Sequence, residues 1–380
     1  MNNKDFAFEI DSRFLDFFQD NLKQVFLYLV DDCQLQCIQC LYKLNNNFNI
    51  SRKEISPYQS LMMVEDFYKL GARKLTLMGG EPTLYGINDE RKPFFNLIER
   101  AKEIGYEYVR IDTNGQFESS LLDHSTMKKL DEITFSLDGP NAEINDEIRG
   151  KGSFEKAVKN IMYAVSRGYN VNITSCIHKK MIERNKSNEM YISEMIKFAH
   201  NLGVKCINFH DLFKSGIPRD FWTGQLDISV DEWLYTWEEL QNNIEKNTYN
   251  IPVRIPQSFA TEKEFNSNPK YYGYCSVKTG DRILVHPNGI MRICSLMIGT
   301  PYGIAKYHDK KIEWDDGYTN EMLAHDMNKS TPCTNQSKSN SFGCLKPLCV
   351  SFKPKQNEFV WKLKLEWERN NKFNVKVDNT

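Results

Sequence analysis

The chain has 380 residues, 49 Lys+Arg against 50 Asp+Glu and a formal net charge of -1, a length that suits one large and one small domain. With 41% hydrophobic and 26% charged residues it is a globular rather than a disordered chain. The charge balance argues against a nucleic-acid or anionic-membrane partner, which needs a basic excess, and ten cysteines are too sparse for a disulfide scaffold.

Met1 to Leu22 carries Lys4, Glu9, Asp11, Arg13, Asp16 and Asp20, so it lacks the apolar run of a signal peptide. No apolar stretch approaches the ~18–20 residues that cross a bilayer. A cytoplasmic location is expected, where thiols stay reduced and clustered cysteines bind metal or do chemistry.

The elements alternate along the first 210 residues. Val25–Val30 reads as a buried strand, rich in β-branched and aromatic residues and ending at Asp31-Asp32. A helix follows over Pro57–Leu70, with Ser56 as N-cap, Pro57 at its first position and Gly71 as its stop. Then come strand Lys74–Met78, helix Phe94–Ile104, strand Tyr108–Thr113, short helix Ser125–Leu130, strand Ile133–Leu137 and helix Phe154–Arg167. Strand Val171–Ile177, helix Met190–Leu202 and strand Lys205–Phe209 complete six strands with helical crossovers. Such alternation implies right-handed βαβ units and a parallel sheet. Eight units would close a full barrel, so six suggest a partial one, with its chemistry at the C-terminal rim. From His210 to about Tyr274 one convincing helix, Val230–Ile244, precedes a Pro-containing bridge. Arg282–Val285 and Ile290–Ile293 form a hairpin through Pro287-Asn288-Gly289. Lys353–Thr380 is a lysine-rich tail of ambiguous structure.

Cys33, Cys37 and Cys40 stand as C-x3-C-x2-C directly after the first strand. Structural zinc normally takes four protein ligands. Three close thiols without a nearby fourth suit a [4Fe–4S] cluster with one iron left open, and three coincidental buried residues or a zinc site are the bland alternatives. The next strand ends in Gly79-Gly80-Glu81-Pro82, where side-chain-free backbone permits close approach to a ligand and a carboxylate can take an ammonium group.

Residues 25–210 thereby resemble the radical S-adenosylmethionine (radical SAM) superfamily. The resemblance implies a cluster on Cys33, Cys37 and Cys40 whose open iron chelates S-adenosylmethionine, with Gly79, Gly80 and Glu81 at the methionine amino group. It also implies Thr113-Asn114 and Ser136–Asp138 near the carboxylate and ribose, and Arg149 paired with the methionine carboxylate. Family members usually carry an aromatic before the third cysteine; here it is Gln39.

Cys275 and Cys294 bracket the hairpin as C-x13-G-x4-C, followed by Cys333, Cys344 and Cys349. A hairpin flanked by cysteines resembles the appended auxiliary-cluster domain called twitch with one cluster and SPASM with two. The C-x2-C-x5-C-x3-C run of a two-cluster domain is absent. One auxiliary [4Fe–4S] cluster is therefore expected, on Cys275, Cys294, Cys349 and either Cys333 or Cys344, with a zinc-ribbon-like site as the alternative. The implied fold class is α/β: a partial (β/α)6 TIM-like radical SAM barrel followed by a small β-hairpin plus helix auxiliary-cluster domain. The implied boundaries are 1–24 extension, 25–210 barrel, 211–274 last helix and bridge, 275–352 auxiliary domain and 353–380 tail.

Among the remaining residues, Cys176 belongs to the polar set Asn172, Thr174, Cys176 of a strand, one face of which enters the barrel. It is the candidate hydrogen-atom donor, with a core cysteine as the alternative. His210 at the end of the sixth strand is a candidate substrate contact. Phe213, Phe221, Trp222, Trp233, Tyr235 and Trp237 are either a pocket wall or core.

The resemblance implies reductive cleavage of S-adenosylmethionine to a 5′-deoxyadenosyl radical that abstracts a substrate hydrogen, with flavodoxin or ferredoxin as external electron donor. Net oxidation, a dehydrogenation or cross-link, is the expected outcome; a redox-neutral epimerisation through Cys176 and a non-catalytic zinc scaffold are the alternatives. The substrate is a sugar- or aminocyclitol-like small molecule or a ribosomal peptide. The 24 residues before the first strand tilt the expectation towards the small molecule, because they are too few for a fused leader-binding domain.

Overall fold

A computed structural model describes residues 8–40, 54–211, 228, 230–255, 281–293, 303–315, 334–335 and 344–345. Its frame is a run of parallel strands in chain order: β2 (Gln24–Tyr28), β3 (Lys74–Met78), β4 (Tyr108–Thr113), β5 (Glu132–Ser136), β6 (Val171–Ile177) and β7 (Cys206–Asp211). Each pairs in parallel with the next, as crossover connections require. The crossovers include α2 (Pro57–Lys69), α3 (Lys92–Ile104), α5 (Ser153–Ser166) and α7 (Tyr191–Asn201). α2 starts as its sequence directs, with Pro57 in its first turn and the Ser56 hydroxyl accepting from Gln59 N at 3.2 Å. The stretch expected as helix Ser125–Leu130 is a 3-10 turn over Ser125–Lys129.

The strands have two different faces. Val25, Leu27, Leu75, Leu77, Val109, Ile111, Ile133, Phe135, Ile173 and Ile207 are buried in the core. The alternate residues, among them Thr76, Arg110, Asp112, Glu132, Thr134, Asn172, Thr174, Cys176, Asn208 and His210, share the inner face, because successive side chains point to opposite sides.

Three features exceed the sequence expectation. A short seventh parallel strand, β8 (Val253–Arg254), pairs with β7 inside the stretch expected as a bridge; two residues between Pro252 and Pro256 carry no periodic signal. A helix, α4 (Ala142–Arg149), follows β5 and is capped by Asn141, whose side chain accepts from Ile144 N at 3.0 Å. The N-terminal segment is also integrated: β1 (Glu9–Ile10) pairs in parallel with β12 (Lys311–Trp314), and α1 (Ser12–Phe18) buries Phe14 and Phe18.

The expected hairpin is present as β9 (Arg282–Val285) and β10 (Ile290–Arg292), and β11 (Ala305–His308) and β12 continue it antiparallel. It joins the barrel sheet, because β9 pairs in parallel with β2. Gly289 sits in the turn at φ +80°, where a Cβ would lie 2.2 Å from Tyr307 O, so the turn and β11 can approach only through glycine. α6 (Lys179–Ile182) and α8 (Val230–Glu245) complete the helices. Among the described residues no helix is long and apolar enough to cross a membrane.

A buried contact fastens the C-terminal strands to the barrel: Tyr307 donates its hydroxyl to Asp66 Oδ2 on α2 at 2.7 Å. Burial raises the Asp66 pKa against the help of Tyr307 and Lys69. Tyr307→Phe should destabilise the fold by about 1–3 kcal/mol, because a buried acceptor loses its donor. An unchanged urea midpoint would refute that role.

Candidate active site

The cysteine loop is held by a backbone clamp. Gly80 N donates to Val30 O at 2.7 Å and Glu81 N to Asp32 O at 2.8 Å, joining the end of β3 to the residues that lead into Cys33. Gly79 has φ +153°, and a Cβ there would lie 2.5 Å from Val30 O; a Cβ on Gly80 would lie 2.1 Å from Asp32 O. The two glycines therefore admit the neighbouring loop's own backbone, a role distinct from the ligand approach expected of them. Glu81 is buried, with 1% exposure. Its carboxylate accepts from Thr83 N (3.1 Å), Thr83 Oγ1 (2.8 Å), Thr113 Oγ1 (2.7 Å) and Asn114 N (2.7 Å). Burial raises its pKa and these four donors oppose the rise. Glu81 and Thr113 thus hold each other at the strand ends.

The three thiols lie on one loop that touches both ends of this arrangement. Cys33 Sγ accepts from Leu35 N at 3.4 Å and Asn114 Nδ2 at 3.3 Å. Cys37 Sγ donates to Arg149 O at 3.9 Å, and Ile38 N donates to Ile148 O at 3.0 Å, so the loop is also tied to the end of α4. Cys40 packs, as do Phe26 and Met78, against the buried pair of Tyr28 on β2 and Leu284 on β9. Burial pushes Cys33 up to about 12 and Cys37 up to about 11, and the neighbouring thiols add to both shifts. Among the described residues no three His, Cys, Asp or Glu side chains are arranged to hold a single ion. A cubane cluster places different demands, since each thiolate binds a separate iron corner. Three thiols on one loop fit that donor set, and binding would displace their protons.

Asp138, just past β5, connects the loop to the rest of the barrel. It has 0% exposure. Its carboxylate accepts from Gln39 Nε2 at 2.5 Å and from Cys176 N at 2.7 Å, and pairs with Arg149 Nε at 2.6 Å. Its own N–H donates to Asn145 Oδ1 at 2.9 Å, and its carbonyl meets His178 Nε2 at 2.7 Å. Burial works against the charge of Arg149, but Asp138 and the Cys37 and Cys176 thiols outweigh it and raise the Arg149 pKa. The departure at Gln39 has a physical reason: this side chain anchors the residue before Cys40 to Asp138.

Ser136 is partly exposed at the end of β5 on the inner face. Cys176 is partly exposed on that face and in register with His210. The His210 ring is exposed at the rim, and the protein around it, with Arg110, lowers its pKa. Cys206 is buried and donates to Ile207 O and Asn208 Oδ1, each at 3.7 Å, as a structural thiol does. Trp237 is buried and Tyr235 exposed. Cys275, Cys294, Cys333, Cys349, Phe213, Phe221 and Trp222 lie outside the described residues, as does the side chain of Trp233. Cys344 is described only as backbone, in strand Cys344–Leu345 paired with Thr334–Asn335.

Sequence reasoning missed the polar residues that join Asn172 deeper on the inner face: Arg110, Asp112 and Glu132, with Thr76 and Thr134. The signal was alternation in Tyr108–Asp112, Glu132–Ser136 and Ile207–His210, because strands buried on both faces of a parallel sheet read as continuous apolar runs.

Residues 27–185 match the family model described as the radical SAM superfamily. The chain is similar to a probable GTP 3′,8-cyclase of Saccharolobus solfataricus, 23% identical over 284 residues that cover 74% of this chain and 85% of that protein. It is 29% identical to the GTP 3′,8-cyclase of Aquifex aeolicus over 56% of this chain and 63% of that one. To the mycofactocin maturase MftC of Mycolicibacterium smegmatis it is 29% identical over 53% of this chain, spanning about half (49%) of the relative. Among solved structures, Streptococcus suis SuiB bound to precursor peptide SuiA superposes with a TM-score of 0.59 at 16% identity, covering 80% of this chain and 69% of that one. Native anSMEcpe with bound AdoMet gives 0.59 at 15% identity over 93% and 98%. At these identities the superpositions establish the fold alone. The family match runs from β2 past α6, so it takes in the glycine clamp, the cysteine loop and every partner of Asp138, and over these residues the chain is similar to the radical SAM superfamily.

Proposed function

We propose that this radical SAM enzyme oxidises a substrate held on the inner face of the barrel, with Cys33, Cys37 and Cys40 holding the [4Fe–4S] cluster. The observation that carries the reading is the loop of three thiols, anchored at one side by Gly80 and Glu81 and at the other by Asp138. When bound there, the cluster and S-adenosylmethionine supply the one-electron C–S cleavage that initiates hydrogen abstraction. Gly79, Gly80 and Ser136, all partly exposed beside the loop, would contact S-adenosylmethionine. Glu81, Thr113, Asn114, Asp138 and Arg149 already hold protein partners, so they would act by fixing the positions of the thiols and the strand ends. Positioning matters because a reacting atom misplaced by about 1 Å costs orders of magnitude in rate.

Cys275, Cys294, Cys349 and either Cys333 or Cys344 would hold an auxiliary cluster, which suits a net two-electron oxidation such as dehydrogenation or cross-linking. A flavodoxin- or ferredoxin-type donor would supply the first electron. Both substrate classes remain in this reading. The maturase name of MftC and the precursor peptide in the SuiB complex support a ribosomal peptide, and the cyclase relatives support a small molecule.

Anaerobic reconstitution should load about eight irons per chain, two cubane clusters, and the reduced protein should release 5′-deoxyadenosine from S-adenosylmethionine. Replacing Cys33, Cys37 and Cys40 together by Ala should leave about four irons and no cleavage. Stoichiometric zinc without cleavage would overturn the reading in favour of a zinc scaffold.

One observation favours a second reading, epimerisation: Cys176 is a partly exposed thiol on the inner face. If it donates the hydrogen atom, Cys176→Ala should abolish turnover and wild-type product formed in deuterated water should carry one deuterium on carbon. Under the oxidation reading turnover persists and no such label enters.

A further inference from the structure

We propose that Asp112 and Asn172 form the floor of the substrate site and receive a protonated amine of the substrate. This rests on the proposed function and adds the substrate's chemical class. Asp112, Thr134 and Asn172 occupy one row across three neighbouring strands of the inner face, through the register pairs Asp112 with Thr134 and Thr134 with Asn172.

The groups around this row are nearly all satisfied, and the two exceptions adjoin Thr134. Arg110 directs Nε at Thr76 Oγ1 (3.2 Å), Nη1 at Glu132 Oε1 (3.4 Å) and Nη2 at Asp112 Oδ2 (3.3 Å). Glu132 accepts in addition from Tyr108 Oη and from Thr134 Oγ1 (2.6 Å). Burial disfavours its charge, but Thr134, Tyr108, Arg110 and Asn172 together hold its pKa down. Asp112 Oδ1 is buried without a hydrogen bond. It lies 3.2 Å from Arg110 Nε, whose N–H is aimed at Thr76 instead. Asn172, 6% exposed, bonds Glu132 through its side chain, which must use the amide N–H2, and leaves its own Oδ1 buried and unpartnered.

Two buried acceptors without donors call for a ligand that brings N–H or O–H groups, since buried polar atoms are ordinarily paired. Charge selects among such ligands. Arg110 is shared between two carboxylates, Asp112 and Glu132, and burial raises the Asp112 pKa against the help of Arg110 and Thr134, so a cation brought beside Asp112 would favour its charged form. Of the other charged groups on this face, Asp138 is paired with Arg149, and Arg254 is exposed on the edge strand β8, in register with Asn208. An ammonium matches both the charge and the acceptors, whereas a phosphate or carboxylate matches neither. Solvent reaches the group, because the side chains of Arg110 and Asp112 retain 26% and 22% exposure. The same chemistry is available from a lysine side chain of a peptide or from an amino sugar.

The test is calorimetric titration of the reconstituted protein with S-adenosylmethionine present, at pH 7. The probes are Nα-acetyl-lysine methylamide against Nα-acetyl-norleucine methylamide, and glucosamine against glucose and glucuronate. At least one amine should bind about tenfold more tightly than its neutral isostere, as a charge-assisted contact requires, and the stronger series identifies peptide or sugar. Asp112→Asn and Asn172→Ala should each remove most of that preference, with near-ultraviolet dichroism and cluster absorbance verifying that the variants fold. Equal binding of amine and neutral probes, preference for glucuronate, or an amine preference that survives both substitutions would overturn the proposal. So would the absence of probe binding at millimolar concentration in protein that cleaves S-adenosylmethionine. Failure of cleavage in the wild type counts instead against the proposed function, and the binding comparison is read separately from it.

Discussion

The buried carboxylate of Asp138 is the constraint on which the site depends. A carboxylate with 0% exposure is tolerated only if the protein replaces water with donors and opposite charge, and here each replacement comes from a different element. Gln39 belongs to the cysteine loop, Arg149 to the end of α4 and the Cys176 N–H to β6. Satisfying one carboxylate thus fixes three segments relative to one another. Removing it would leave Arg149 as an uncompensated buried charge, so the arrangement is specified as a unit rather than as a sum of contacts.

The glycine clamp imposes the complementary constraint from the other side of the loop. Backbone atoms of two consecutive strand ends approach so closely at Gly79 and Gly80 that no side chain fits between them. Glu81 then gathers Thr83, Thr113 and Asn114, and Asn114 in turn reaches Cys33. Cys33 and Cys37 are therefore placed by backbone bonds and buried polar groups, and the Cys40 side chain by apolar packing. The same sheet continues through β9, so Cys40 packs against a cluster that β2 and β9 build together from Tyr28 and Leu284.

Much of this was legible in residue order because local rules and the tertiary outcome agree. Ser56-Pro57 starts a helix wherever it is placed, Gly105 closes one in the left-handed region, and Pro287-Asn288-Gly289 turns a hairpin. Where local signals were weak the reading failed: β8 is too short to show a period, and α1 and β1 are held by partners about 300 residues away in sequence, on β12. The polar inner face was visible as alternation but lacked meaning until neighbouring strands brought Asp112, Thr134 and Asn172 into one row.

By itself the sequence determined the strand–helix alternation, the three-cysteine loop and its proximity to Gly79–Pro82, because these depend on spacing and on residue types with narrow conformational or ligand preferences. Its ten cysteines divided into loop, barrel and C-terminal groups on the same basis. Only the tertiary structure decided that the glycines admit a neighbouring backbone, that Glu81 and Asp138 are filled by protein donors, and that two acceptors on the inner face are left without any. Hydrogen-bond satisfaction is a property of surroundings assembled from distant segments, and no single stretch of the chain contains it.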